Sequence, residues 1–164
     1  MLKHRSTELE IMDDLSISGE VIHQTLRELN TINRRLGGNK ISVSAFREMI
    51  KNQSAVTLAD LGCGGGDIMV EMAQATRKVG CDAKFIGIDA NEHIVDYAEN
   101  NTREYTEISY QAINIFSNEF KVQTFDIIHC CLFVHHFPSE QLVALFKQFK
   151  KQARLGVFFN TSLS

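Results

Sequence analysis

The sequence has no apolar run approaching the ~20 residues that a membrane span needs, and its first residues, with Lys3, His4, Arg5, Glu8 and Glu10, lack the apolar core of a signal peptide. Both absences point to a cytoplasmic chain. A basic excess is missing too: 17 Lys and Arg stand against 20 Asp and Glu, a net charge of −3, whereas binding along a phosphate backbone calls for a basic surface. Neither nucleic acid nor membrane is expected as a partner. The four cysteines, Cys63, Cys81, Cys130 and Cys131, form neither a redox Cys-x-x-Cys nor a paired metal-ligand spacing. They read as reduced thiols in small apolar sites. His129, Cys131, His135 and His136 crowd one short stretch, but the second half of a ligand set is missing elsewhere, and no metal is expected.

What the chain does have is enough length for one self-sufficient core. Its 164 residues are 44% hydrophobic and 23% charged, and a chain of this size buries about two thirds of its unfolded surface. The most informative stretch is Val56 to Asp67, where apolar and β-branched residues run into Asp60 and four glycines, Gly62, Gly64, Gly65 and Gly66, precede a helical pattern. This reads as a buried strand, a tight turn and a helix start. Glycine suits such a turn because some positions need φ > 0 and because a side chain would hold a ligand away from the main chain.

A dinucleotide fingerprint would put a third glycine where Asp67 stands. A carboxylate there repels a pyrophosphate, although it suits the helix dipole. The run Asp60-x-Gly62-x-Gly64-x-Gly66 instead resembles the first motif of the class I S-adenosylmethionine-dependent methyltransferases.

Around that turn the spacing predicts an amphipathic helix over Ser18 to Leu36, capped by Ser18, stopped by Gly37-Gly38, with Ile22, Leu26, Leu29, Ile32 and Leu36 on one face. A second helix is predicted over Ser42 to Lys51. Then follow strand Val56–Leu61, helix Asp67–Val79 with Ile68, Met72, Ala75 and Val79 inward, strand Lys84–Asp89, helix Glu92–Asn101, strand Ile108–Ala112, strand Phe125–Leu132, helix Ser139–Lys151 capped by Ser139 with Leu142, Leu145, Phe146 and Phe149 inward, and strand Arg154–Asn160. Alternation of this kind predicts an α/β fold with a parallel, doubly wound sheet.

The resemblance covers roughly Val56 to Asn160 and rests on the order of its motifs: glycine turn, acid after the second strand, polar residue after the third, His-containing turn after the fourth. It implies a Rossmann-like, mainly parallel sheet of about five strands in the order 3-2-1-4-5, with residues 1–55 as an N-terminal helical extension or lid and 56–164 as the cofactor-binding core, together one structural domain. For the site it implies S-adenosylmethionine bound by Asp60, Gly62, Cys63, Gly64, Gly66, Asp89, Ala90, Asn114, Ile115, Cys130 and Cys131. Asp60 would meet the cofactor's amino group, Asp89 the ribose and Asn114 the adenine, while main chain near Cys130 and Cys131 would face the ammonium. By their residue types alone Asp89 also suits a cap of the next helix and Asn114 a turn; the acid occurring together with the glycine turn favours the ribose role for Asp89. His135 and His136, in a turn like that over the methyl-transfer site of small-molecule family members, are candidate bases or packing residues.

The stretches Asp13-Asp14, Leu29-Asn30 and Asn33 to Gly38 are also similar to small-molecule methyltransferases encoded near polyketide synthases. The expected activity is methylation of a small acceptor, by preference O-methylation of a phenolic, polyketide or quinone-like molecule. A family member ordinarily adds a sixth and seventh strand, so truncation from a longer protein is expected. A homodimer is left open. The competing readings are a nicotinamide-dependent oxidoreductase domain and a non-catalytic domain that binds the cofactor or a partner chain.

Overall fold

The computed structural model describes residues 19–131 and 137–160, and of residues 32–36 only the backbone. Within them run α1 (Glu20–Leu36), α2 (Gly38–Ile50), β1 (Ala55–Leu61), α3 (Asp67–Val79), β2 (Asp82–Asp89), α4 (Glu92–Thr102), β3 (Ile108–Ala112), α5 (Asn118–Lys121), β4 (Phe125–Cys131), α6 (Ser139–Gln152) and β5 (Ala153–Asn160). The strands form one sheet in the order β3-β2-β1-β4-β5, with every neighbouring pair parallel. This is the predicted Rossmann-like arrangement. The order reverses between β1 and β4, and it is beyond the C-terminal ends of strands at such a switch point that ligands bind in open α/β sheets.

Alternation along β1 and β4 divides the core in two. Leu58 and Ile127 point to the face covered by α2 and α3, where Phe46, Met69 and Met72 are fully buried. Ala59, Leu61, Ile128 and Cys130 point the other way, onto Phe120, Leu145 and Phe149. At about 25 cal/mol per Å² of apolar area, burial on both faces makes these central strands the strongest part of the fold.

Several boundaries differ from the sequence expectation, each for a local reason. Gly37 alone, at φ 77°, reverses the chain, so α2 begins at Gly38, four residues before Ser42. Ser18, the expected first cap, lies outside the described residues, as do Leu132, His135 and His136. Pro138 takes the N-cap position of α6 with an extended ψ of 151°, and Ser139 is the first helical residue instead of the cap. Val79, Phe146 and Leu29 are exposed at 67%, 40% and 38%, not inward. Val79 ends its helix beside Gly80, which turns at φ 70°, and Phe146 packs sideways on Phe159. The short α5 was not expected; Ser117 caps it by accepting the Phe120 N–H at 3.2 Å.

Candidate active site

The turn after β1 is built from three left-handed glycines, Gly62 at φ 67°, Gly64 at 52° and Gly66 at 80°. Three of its amides are spent inside the protein: Gly62 and Cys63 both donate to the Ile88 carbonyl, at 2.8 and 3.3 Å, and Gly66 donates to the Cys63 carbonyl at 3.1 Å. The β1 turn is thereby pinned to the end of β2. A Cβ at Gly64 would touch Leu26 at 3.6 Å, so α1 lies across the turn. A Cβ at Gly66 would collide with the Tyr110 hydroxyl, and one at Gly87 would stand 2.5 Å from the Tyr110 ring. Gly66 is therefore glycine partly for Tyr110, whose hydroxyl meets Thr102 Oγ1 at 2.9 Å and whose phenol burial pushes well up.

Two carboxylates flank this turn. Asp60, at the end of β1, is 3% exposed and holds His129 Nδ1 at 2.7 Å. His129 Nε2 meets Ser42 Oγ of α2 at 3.0 Å, and Asn160 Nδ2 donates to Ser42 Oγ at 3.2 Å and to the Gly38 carbonyl at 2.8 Å. Asp89 ends β2, where Oδ1 accepts the Asn91 N–H at 2.9 Å. Burial pushes its carboxyl up to about 6, with the Asn91 and Ala90 N–H groups pulling back and the charge of Asp60 adding to the rise. The cap of α4 is Asn91, whose side chain accepts the His93 N–H, so that role does not fall to Asp89.

The other expected residues are spread more widely. Asn114 is exposed and its Oδ1 accepts the Phe116 N–H at 2.9 Å, a turn bond. Ile115 is 6% exposed and packs into the core beside α5 and α6, and Ala90 is exposed beside Asp89. Cys63 and Cys130 are buried thiols pushed well above their ordinary range by burial, and burial lifts Cys131 to about 12. None is a ready nucleophile. Among the described residues no group of three or more His, Cys, Asp or Glu could hold a metal, and no helix is long and apolar enough to cross a membrane.

Sequence reading missed Ser42, Asn160 and Tyr110, and considered His129 only for a metal. One signal was there: a histidine inside an apolar strand and a serine on the apolar face of α2 are each polar where burial is expected.

Comparison with known proteins adds three findings. A family model described as a methyltransferase domain matches residues 52–159. None of the curated proteins compared with the chain matches it. Among solved structures, it is similar to coclaurine N-methyltransferase bound to N-methylheliamine and SAH (TM-score 0.59, 18% identity, 74% of this chain and 35% of that one). It is likewise similar to magnesium protoporphyrin IX methyltransferase from Synechocystis PCC 6803 with bound SAM (0.59, 18%, 85% and 63%). A third is a [4+2]-cyclase (0.56, 17%, 71% and 41%). At these identities the likeness shows the fold, and the chain spans about a third and under two thirds of the length of the first two.

Proposed function

Because the chain belongs to the methyltransferase-domain family that matches residues 52–159, we propose that it transfers the methyl group of S-adenosylmethionine to a small molecule. The observation that carries this reading is the donor set of the turn. With the Gly62, Cys63 and Gly66 amides bonded within the protein and Asp60, Asp67 and Asp89 around it, the turn is flanked by carboxylates. A positively charged sulfonium nucleoside suits that charge, and the pyrophosphate of a nicotinamide cofactor is repelled by it.

When bound, the cofactor supplies an electrophilic methyl on a positively charged sulfur. The chain's own part is to hold and align. Asp60 would take the ammonium group, Gly62, Cys63 and Gly64 would leave room for the methionine portion, and Gly66 would keep the bend closed on Tyr110. Asp89, beside Ala90, would accept from the ribose hydroxyls, each bond to a charged acceptor contributing ~1.5–3 kcal/mol. Asn114 and Ile115 would border the adenine, and the main chain at Cys130 and Cys131 the ammonium. Alignment of an acceptor behind the methyl can supply ~7–11 kcal/mol. For the acceptor we favour a phenolic, polyketide or quinone-like oxygen, with His135 or His136 taking the proton from a hydroxyl whose pKa is near ~10.

The same reading makes residues 1–55 a cover and 56–164 the core of one domain, which the contact of Leu26 with the turn and the docking of Ser42 support. It makes the protein a cytoplasmic enzyme that takes a small acceptor in place of nucleic acid or membrane. Two of the similar structures are named as methyltransferases of small molecules, which supports the acceptor class. The cyclase of the same fold favours one second reading, a chain that binds the cofactor without methyl transfer.

Thermal melting tests the proposal. S-adenosylhomocysteine at one hundred times its dissociation constant should stabilise by about 2.7 kcal/mol, a shift of several degrees, and NADH should give none. Stabilisation by NADH alone would reject the reading, and cofactor binding without turnover on a panel of phenols would favour the second.

A further inference from the structure

Four buried polar side chains from four separate elements form one hydrogen-bonded line: Asn160 at the end of β5, Ser42 in α2, His129 in β4 and Asp60 in β1, all between 0 and 4% exposed. The order of donors is consistent throughout. Asn160 Nδ2 donates to Ser42 Oγ, the Ser42 hydroxyl can donate to His129 Nε2, and His129 Nδ1–H then donates to Asp60 Oδ1. Both ring nitrogens are thus engaged, so His129 is neither a free base nor an open metal ligand.

The register explains how the line forms. Asp60 and His129 are partners across the β1–β4 ladder, and His129 faces Phe158 of β5, its ring 4.6 Å away. A polar group in such a place is kept only if it is fully bonded, because a buried unmatched partner costs ~1–3 kcal/mol and a charged one more. Asp60 stands two residues before Gly62, the first left-handed glycine of the turn, so what fixes its side chain also fixes the acidic side of the turn.

We propose that His129 is a positioning residue for the cofactor. It holds the Asp60 carboxylate in one orientation beside the glycine turn, and through Ser42 and Asn160 it makes that orientation depend on α2 and β5 being docked. The cover and the cofactor site are thereby joined by hydrogen bonds, with Leu26 placed so that a Cβ added at Gly64 would touch it. The inference rests on the reading of the turn as an S-adenosylmethionine site.

The test is calorimetric titration of S-adenosylhomocysteine into the full chain and three variants. His129→Leu should bind at least about tenfold more weakly, the equivalent of one lost hydrogen bond to a charged group. His129→Asn, whose amide nitrogen can still donate to Asp60, should recover most of that loss. Ser42→Ala, a change α2 tolerates well, should weaken binding about threefold and keeps the test decisive if the leucine variant does not fold. A nuclear magnetic resonance reading separates positioning from packing: the His129 Nδ1–H resonance should move when the ligand saturates the protein. Wild-type affinity in folded Ser42→Ala and His129→Leu chains, or a resonance that the ligand leaves in place, would overturn the inference alone. Failure of the wild-type chain to bind at all would overturn the cofactor reading and this inference with it.

Discussion

Two polar clasps join β1 to β4, one near each end of the strands. Near the entry, Asp126 accepts the Thr57 N–H at 2.8 Å and Arg154 Nε at 2.7 Å, and Thr57 Oγ1 accepts the Asp126 N–H at 3.1 Å. Three residues further along both strands, Asp60 meets His129. The strands are the same and the surroundings are not: Arg154 is 59% exposed and Asp126 20%, whereas His129 and Asp60 are 0% and 4%. A screened pair contributes ~0–1 kcal/mol, while removing one member of a buried pair costs ~3–5 kcal/mol. The entry end can therefore be altered cheaply, and the exit end, where parallel sheets bind ligands, cannot.

The largest expected effect is on stability at the exit. In urea, His129→Leu should lose roughly 3–5 kcal/mol and Arg154→Ala less than about 1 kcal/mol; similar losses would erase the contrast between the clasps. Gly66→Ala comes next, at roughly 1–3 kcal/mol, since it strains a left-handed residue and drives a methyl into Tyr110. Tyr110→Phe should return part of that loss, and strict additivity of the two changes would show that the hydroxyl is not the obstacle.

The smallest effect separates two carboxylates by sign. Burial alone would raise Asp126, but bonds from Arg154 and the Thr57 N–H outweigh it and hold the carboxyl below its ordinary range. The stability it lends is present above the unfolded pKa and is lost as pH falls through the lowered one. Asp89 is raised instead, so its contribution is present below the ordinary carboxylate range and lost as pH rises toward about 6. Melting profiles of Asp126→Asn and Asp89→Asn should therefore differ from the wild type in opposite directions above pH ~4, the first variant less stable and the second more stable, with both differences fading as pH falls below it; changes of the same sign would contradict the assignment.

Much of this architecture is legible before any coordinates. The helix Asp67–Val79 and the strand Ile108–Ala112 coincide with the expected bounds, because glycine punctuation and apolar runs are local signals. The strand order is the one that the methyltransferase resemblance implies. The four-residue α5 is too short to show a period, and Gly37-Gly38 reads as one stop although only Gly37 turns. In the site, the glycine turn and the strand-end acids are visible as residue types. The line from Asn160 to Asp60 is not, because its members lie 69, 87 and 118 positions apart in the three bonds that join them, and meet only through the register of three strands and one helix.

The account's central claim is that carboxylates at the ends of β1 and β2 hold a cationic nucleoside against the turn. Its most direct test is calorimetric titration of S-adenosylmethionine into the wild type and Asp89→Asn from about pH 8 to about pH 5. Wild-type affinity should fall as pH drops through about 6, by up to about tenfold per pH unit, because a protonated Asp89 loses its charge and part of its acceptor capacity, and the variant should bind weakly at every pH. A wild-type affinity that does not change with pH, or a variant that binds as tightly as the wild type, would contradict the claim.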